Sequence, residues 1–144
     1  MLNFSKSTGE LFTELKEEKN LEGWRDENRR EFLAPLCEYL EKILAEKNLT
    51  KPEVIRRSGL QREYAYHIFS GKKNNPSRQK ILALALAMDL TLDEVQYFLR
   101  YAGQAVLYPR NSWDAVIISA VEQKLSVEQT NELLDGLGES LLLN

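Results

Sequence analysis

Leu49-Thr50-Lys51-Pro52-Glu53-Val54-Ile55-Arg56-Arg57-Ser58-Gly59-Leu60-Gln61-Arg62-Glu63-Tyr64-Ala65-Tyr66-His67-Ile68-Phe69-Ser70-Gly71 is the stretch on which the fold turns. Thr50 stands three residues before Glu53, the spacing of a capping box, in which a hydroxyl and a carboxylate satisfy each other's free backbone N–H groups. Pro52 suits the first turn of a helix, where its missing N–H costs nothing. Gly59 then suits the left-handed position that ends a helix, because a residue without Cβ enters it cheaply. Leu60 is expected to plug the core, and a second helix to begin at Gln61. This register puts Val54, Ile55, Leu60, Ala65 and Ile68 on the inside of the helix pair. It leaves Arg56, Arg57, Gln61, Arg62, Tyr66 and His67 outside. Two short helices, 51–58 and 61–69, joined by such a turn form the unit that can lay its second helix in a major groove.

Outward from this stretch the same local grammar recurs. Thr91 precedes Glu94 by three residues, Ser126 precedes Gln129, and Ser7 precedes Glu10, the last weakened by the helix-disfavouring Gly9. The run Ile81-Leu82-Ala83-Leu84-Ala85-Leu86-Ala87-Met88 alternates large and small residues, but its Ala, Leu and Met content predicts a buried helix. The expected layout is a polar segment 1–31 and a helix at 33–47, followed by the helix pair and a basic loop 71–77. Helices at 78–88 and 92–102, a loop 103–111, and a last pair at 113–124 and 127–135 complete it. The fold class is therefore all-α: a compact multi-helix domain with an added C-terminal helical pair. The divisions expected are an N-terminal arm or extension at 1–31, a helix-turn-helix domain at 32–103 and a C-terminal extension at 104–144.

At 144 residues the chain can bury a core without covalent staples. Its one cysteine, Cys37, has no partner and reads as a buried, reduced thiol of a cytoplasmic protein. No apolar run approaches the roughly 20 residues that span a bilayer. The start, Met1 to Lys6, lacks a leader pattern. Charge is unevenly spread. Residues 51–80 hold Lys51, Arg56, Arg57, Arg62, Lys72, Lys73, Arg78 and Lys80 against Glu53 and Glu63, a balance of +6. The residues before them balance at −3 and those after at −6. A basic centre with acidic flanks can face phosphates on one side and repel them elsewhere. A lone histidine and a lone cysteine supply no zinc site, and no Gly-rich phosphate loop or nucleophile elbow is present. Neither an enzyme nor a cofactor is expected.

The residues Leu49-Thr50, Glu53-Val54, Ser58-Gly59-Leu60, Ala65, Ile68, Gly71-Lys72-Lys73, Pro76-Ser77 and Leu90-Thr91 together resemble the Cro/phage-repressor (XRE) helix-turn-helix family, without a gap from Leu49 to Lys73. The resemblance covers about 36–103. Two departures stand out. The family usually has Ala where this chain has Ile55, and a bulky residue where it has Ala65, a large–small exchange that conserves volume if the two meet. Phe69 replaces an acidic residue and brings a ring beside the loop.

The resemblance implies a repressor-like fold and double-stranded DNA as partner. It carries the family's phosphate and base contacts onto Lys51, Gln61, Arg62, Glu63, His67 and Ser70. Arg62 is suited to guanine O6 and N7, Glu63 to cytosine N4 and Gln61 to adenine. Lys51, Ser70, Lys72 and Lys73 suit phosphate, which fixes register without reading sequence. Tyr66 is placed to touch thymine methyls or backbone, or to be half buried. His67 is a surface contact, and Tyr64 is more a packing residue than a reader. Pairing of two copies is expected, through Leu141, Leu142 and Leu143, the helix Trp113 to Val121, and Phe12 and Leu15. The alternative function is a protein-interaction module, an antitoxin or adaptor of the same fold that holds a protein partner through its terminal segments.

Overall fold

The computed structural model describes residues 4–144, and among them the apolar periodicities resolve into helices and no strand. Met1 to Asn3, part of the stretch read for a leader, lie outside the described residues. The described residues form two compact units, divided between Ala34 and Pro35.

The first unit holds α1 (Thr8–Glu17), α2 (Leu21–Glu27) and one 3-10 turn (Arg29–Glu31). The Ser7–Glu10 box forms despite Gly9: Glu10 N–H donates to Ser7 Oγ at 3.1 Å and Ser7 N–H to Glu10 Oε1 at 3.3 Å. Polar groups tie this unit together. Lys6 Nζ donates to Glu14 at 2.8 Å and to Asn28 at 2.7 Å, and Glu31 accepts from the backbone N–H groups of Ser5 and Lys6. Trp24 is buried and meets Phe32 edge-on, whereas Phe12, Leu15 and Leu21 remain exposed.

The second unit contains α3 (Leu36–Lys47), α4 (Lys51–Ser58), α5 (Arg62–Ser70), α6 (Arg78–Ala87), α7 (Leu92–Tyr101), α8 (Ser112–Glu122) and α9 (Val127–Gly136). α6 is its axis. Every residue from Ile81 to Met88 is buried, as a helix apolar on all sides must be, and α4, α7 and α9 all pack on it. α3 covers α5, and α8 pairs with α9. The helix expected at 33–47 starts later, because Pro35 takes the cap position with φ −55° and ψ 150°.

Three joints share one construction. Asn48, Asp89 and Lys124 adopt φ between 53° and 55°, and each is followed by a leucine whose N–H returns five residues to close the preceding helix. These bonds run from Leu49 to Leu44, from Leu90 to Ala85 and from Leu125 to Ala120. A Ser or Thr then opens the next helix. At Thr91 and Ser126 the expected capping boxes form. At Thr50 the box does not: its side chain makes no cap bond, and Glu53 turns instead to Arg57 one helical turn on. An i,i+4 ion pair competes for the carboxylate that would complete the box.

The C-terminal helices are seated on this core by a buried ion pair. Arg78 donates through Nη1 and Nη2 to the two oxygens of Asp114 at 2.8 and 2.9 Å, and also to the carbonyls of Ala105 and Val106. Tyr108 N–H donates to the same carboxylate at 3.0 Å. Burial alone would push the Asp114 carboxyl up, but these hydrogen bonds and the Arg78 charge outweigh it and hold it below the ordinary value. Ile117, Ala120, Val121 and Leu142 are buried in this chain's own core, which removes them from the surface expected to pair two copies. Leu137 and Leu141 stay exposed.

Candidate nucleic-acid interface

The turn between α4 and α5 is built as the residues imply. Gly59 takes φ 72°, in the left-handed region, and Ser58 is fully buried, its hydroxyl donating to Ile55 O at 2.7 Å and accepting from Leu60 N–H at 3.2 Å. Val54, Ile55, Ala65 and Ile68 are buried. Leu60 is only half-buried and packs at the rim of the core rather than plugging it. Phe69 is buried too, with the Lys51 ammonium 5.7 Å from its ring centre.

α5 starts one residue later than expected because Gln61 is its cap: Gln61 Oε1 accepts from Tyr64 N–H at 3.1 Å. With one lone pair of that oxygen engaged, Gln61 offers a partner its amide N–H₂ and the oxygen's second lone pair, in an orientation set by the cap. Arg62 and Glu63 follow, both exposed, with the Arg62 guanidinium 5.7 Å from the Tyr66 ring. Tyr66 and His67 are half-buried one turn later. Ser70, Lys72 and Lys73 are exposed at the other end of α5. Their backbone is pinned: Ser70 Oγ donates to His67 O at 3.2 Å, and Lys73 N–H donates to that same carbonyl at 2.9 Å. Gly71 adopts φ 87°, and a Cβ there would lie 3.1 Å from Cys37 Sγ. Cys37 is half-buried, not fully buried as its apolar neighbours suggested, since it sits at the rim beneath this loop.

Three of the eight cations in 51–80 are engaged. Arg78 is held by Asp114, Lys51 Nζ lies 2.9 Å from Glu41, and Arg57 pairs with Glu53. Arg56, Arg62, Lys72, Lys73 and Lys80 carry no ion pair among the described residues. Lys80, on the first turn of α6, was not singled out by the sequence. Its ammonium lies 4.0 Å from the Tyr64 ring, a cation–π contact between side chains sixteen residues apart that no local pattern announces. The arrangement places Arg62 and Glu63 at the leading end of α5 and a cationic loop at its trailing end. Such a surface can anchor on phosphates while a short polar row meets base edges.

Among the described residues, no group of three His, Cys, Asp or Glu side chains could hold a metal ion, and no helix is long and apolar enough to cross a membrane. Residues 36–98 match the Cro/C1-type HTH DNA-binding domain, so a domain of that type is present there, spanning α3 to most of α7. No curated protein and no solved structure matched the chain.

Proposed function

From the Cro/C1-type HTH DNA-binding domain at residues 36–98, we propose that the chain is a sequence-specific regulator of transcription, cytoplasmic, that reads double-stranded DNA by placing α5 in the major groove. The observation that carries this reading is the leading end of α5. Arg62 and Glu63 are exposed there with opposite charge, beside a glycine turn that projects them. In this role Arg62 donates to guanine O6 and N7, and Glu63 accepts from cytosine N4. Gln61 reads adenine, its N–H₂ donating to N7 while the free lone pair of its oxygen accepts from N6. Tyr66 and His67, half-buried, graze the groove wall. Ser70, Lys72 and Lys73 hold phosphate, and Lys51 does so only by exchanging Glu41 for it. The DNA-binding portion is 32–103. One such helix covers few base pairs, so two copies bind together with their recognition helices about 34 Å apart.

Selection of bound duplexes from a random pool tests the reading, followed by affinity measurements on the selected site. Arg62→Ala is expected to cost about 1–3 kcal/mol on that site and to relax preference at one base pair. Lys72→Ala and Lys73→Ala are expected to weaken all duplexes alike, each flattening the slope of log K against log salt by about 0.9. Recovery of no sequence, together with a stoichiometric protein complex, would instead support the interaction-module reading.

A further inference from the structure

The C-terminal tail is held by side chains of α8 and α9, and its last residues by Asn131. α9 ends at Gly136; two residues on, Gly138 takes φ 74°, and Glu139 N–H donates back to Leu134 O at 2.9 Å, reversing the chain. Trp113 Nε1 donates to Ser140 O at 2.9 Å. Beyond it, Asn131 in the middle of α9 turns both ends of its amide to the tail. Its Oδ1 accepts from Leu142 N–H at 2.7 Å and from Leu143 N–H at 3.4 Å, while its Nδ2 donates to Leu143 O at 3.0 Å. An asparagine in mid-helix is disfavoured, and this one spends its hydrogen bonds outside its own helix. Two consecutive residues are thereby fixed in register, with Leu142 driven into the core.

What the register achieves lies at the turn. Leu143 Cδ1 and Val127 Cγ1 stand 3.5 and 3.6 Å from where a Cβ on Gly59 would be, ordinary contact distances for a side chain laid on that spot. Gly59 is the left-handed hinge between α4 and α5, and Gln61, the cap of α5, is two residues further on. A base-reading constellation must be held within about 0.5 Å of its productive geometry. A glycine joint is the least rigid point in that chain of support.

We propose that Asn131 is a positioning residue for the recognition helix: by clamping Leu142 and Leu143 it seats Leu143 on Gly59 and fixes the entry of α5. The inference rests on the DNA-reading function above, and it makes the C-terminal helical pair part of the reading apparatus. Hydrogen exchange of residues 58–63 in the free, full-length protein reports the seating without DNA. Binding to a selected duplex and to an unrelated duplex, at a temperature where every variant is folded, reports its consequence. Asn131→Leu is expected to speed exchange at 58–63 and to weaken the selected duplex at least five-fold, with the unrelated duplex changed less than two-fold. Asn131→Asp, which keeps the acceptor and loses the donor, falls between. Leu143→Ala, which leaves the clamp and removes the shim, gives the same pattern should Asn131→Leu fail to fold. Unchanged exchange at 58–63 in a variant whose tail has loosened overturns the proposal. So does equal loss of affinity for both duplexes. A wild-type protein that binds no DNA overturns the reading beneath it, while the exchange data still decide whether the clamp holds the turn.

Discussion

Replacing Asp114 by Asn keeps the side chain's shape and removes its charge, which makes the change a direct probe of how the C-terminal helices are fastened. Both carboxylate oxygens already accept: Oδ1 from Arg78 Nη1, Oδ2 from Arg78 Nη2 and from Tyr108 N–H. An amide can present only one oxygen, so whichever way Asn is flipped its N–H₂ faces a donor. Removing one partner of a buried ion pair costs about 3–5 kcal/mol when the remaining charge is stranded. Here the stranded group is less isolated. The Arg78 side chain is 22% exposed, against 7% for Asp114, and it keeps the carbonyls of Ala105 and Val106. The expected loss is therefore about 2–3 kcal/mol, a fall in melting temperature of roughly 4–12 °C for a chain of this size. Urea titrations of both proteins followed by circular dichroism at neutral pH measure it.

Because the folded carboxyl is held below its unfolded value, its contribution is complete above about pH 4 and is lost as pH falls through the folded value. The gap between wild type and Asp114→Asn is thus expected to close on acidification. A loss under about 0.5 kcal/mol at neutral pH, or a gap that widens in acid, would refute this account of the joint.

Two further outcomes follow from local geometry. Gly71→Ala combines a left-handed φ with a Cβ 3.1 Å from Cys37 Sγ, so it is expected to destabilise by about 1–3 kcal/mol, and adding Cys37→Ala should recover the crowding but not the backbone strain, as paired melting curves would show. Thr91→Ala removes a formed cap and is expected to cost about 1 kcal/mol, whereas Thr50→Ala, with no cap bond to lose, should stay within about 0.5 kcal/mol by the same denaturation assay.

The helices were legible because their signals are local. Apolar spacing placed α4 to α9 within a residue or two, and the Leu-Thr and Leu-Ser starts marked the three joints. Sequence could not tell which Ser/Thr–Glu pair closes, because Arg57 competes for Glu53 with equal right of spacing. Nor could it show that Arg78 meets Asp114 thirty-six residues away, that Lys80 covers Tyr64, or that the tail rests on Gly59. Those pairings are chosen by where helices meet, and a lysine counted as basic looks the same in sequence whether it is free or engaged. Periodicity put Arg62 outside the helix pair, while Glu63, Ser70, Lys72 and Lys73 were named through the family resemblance and its basic loop; all five are exposed. Gln61 was placed there correctly, but its capping duty went unseen because it starts a helix with a residue type that rarely does so.

The engagement of Arg78, Lys51 and Arg57 has a kinetic consequence. A protein searching a genome spends much of its time on wrong sequence, held by cations that any phosphate satisfies. This chain withdraws three of the eight cations of 51–80 into ion pairs, and its 81–144 segment carries a charge of −6 that phosphates repel. For a DNA reader built this way, binding to wrong sequence is weaker, and residence on it shorter, than if all eight cations met phosphate. Discrimination then comes from low background occupancy as much as from strong contacts at the correct site.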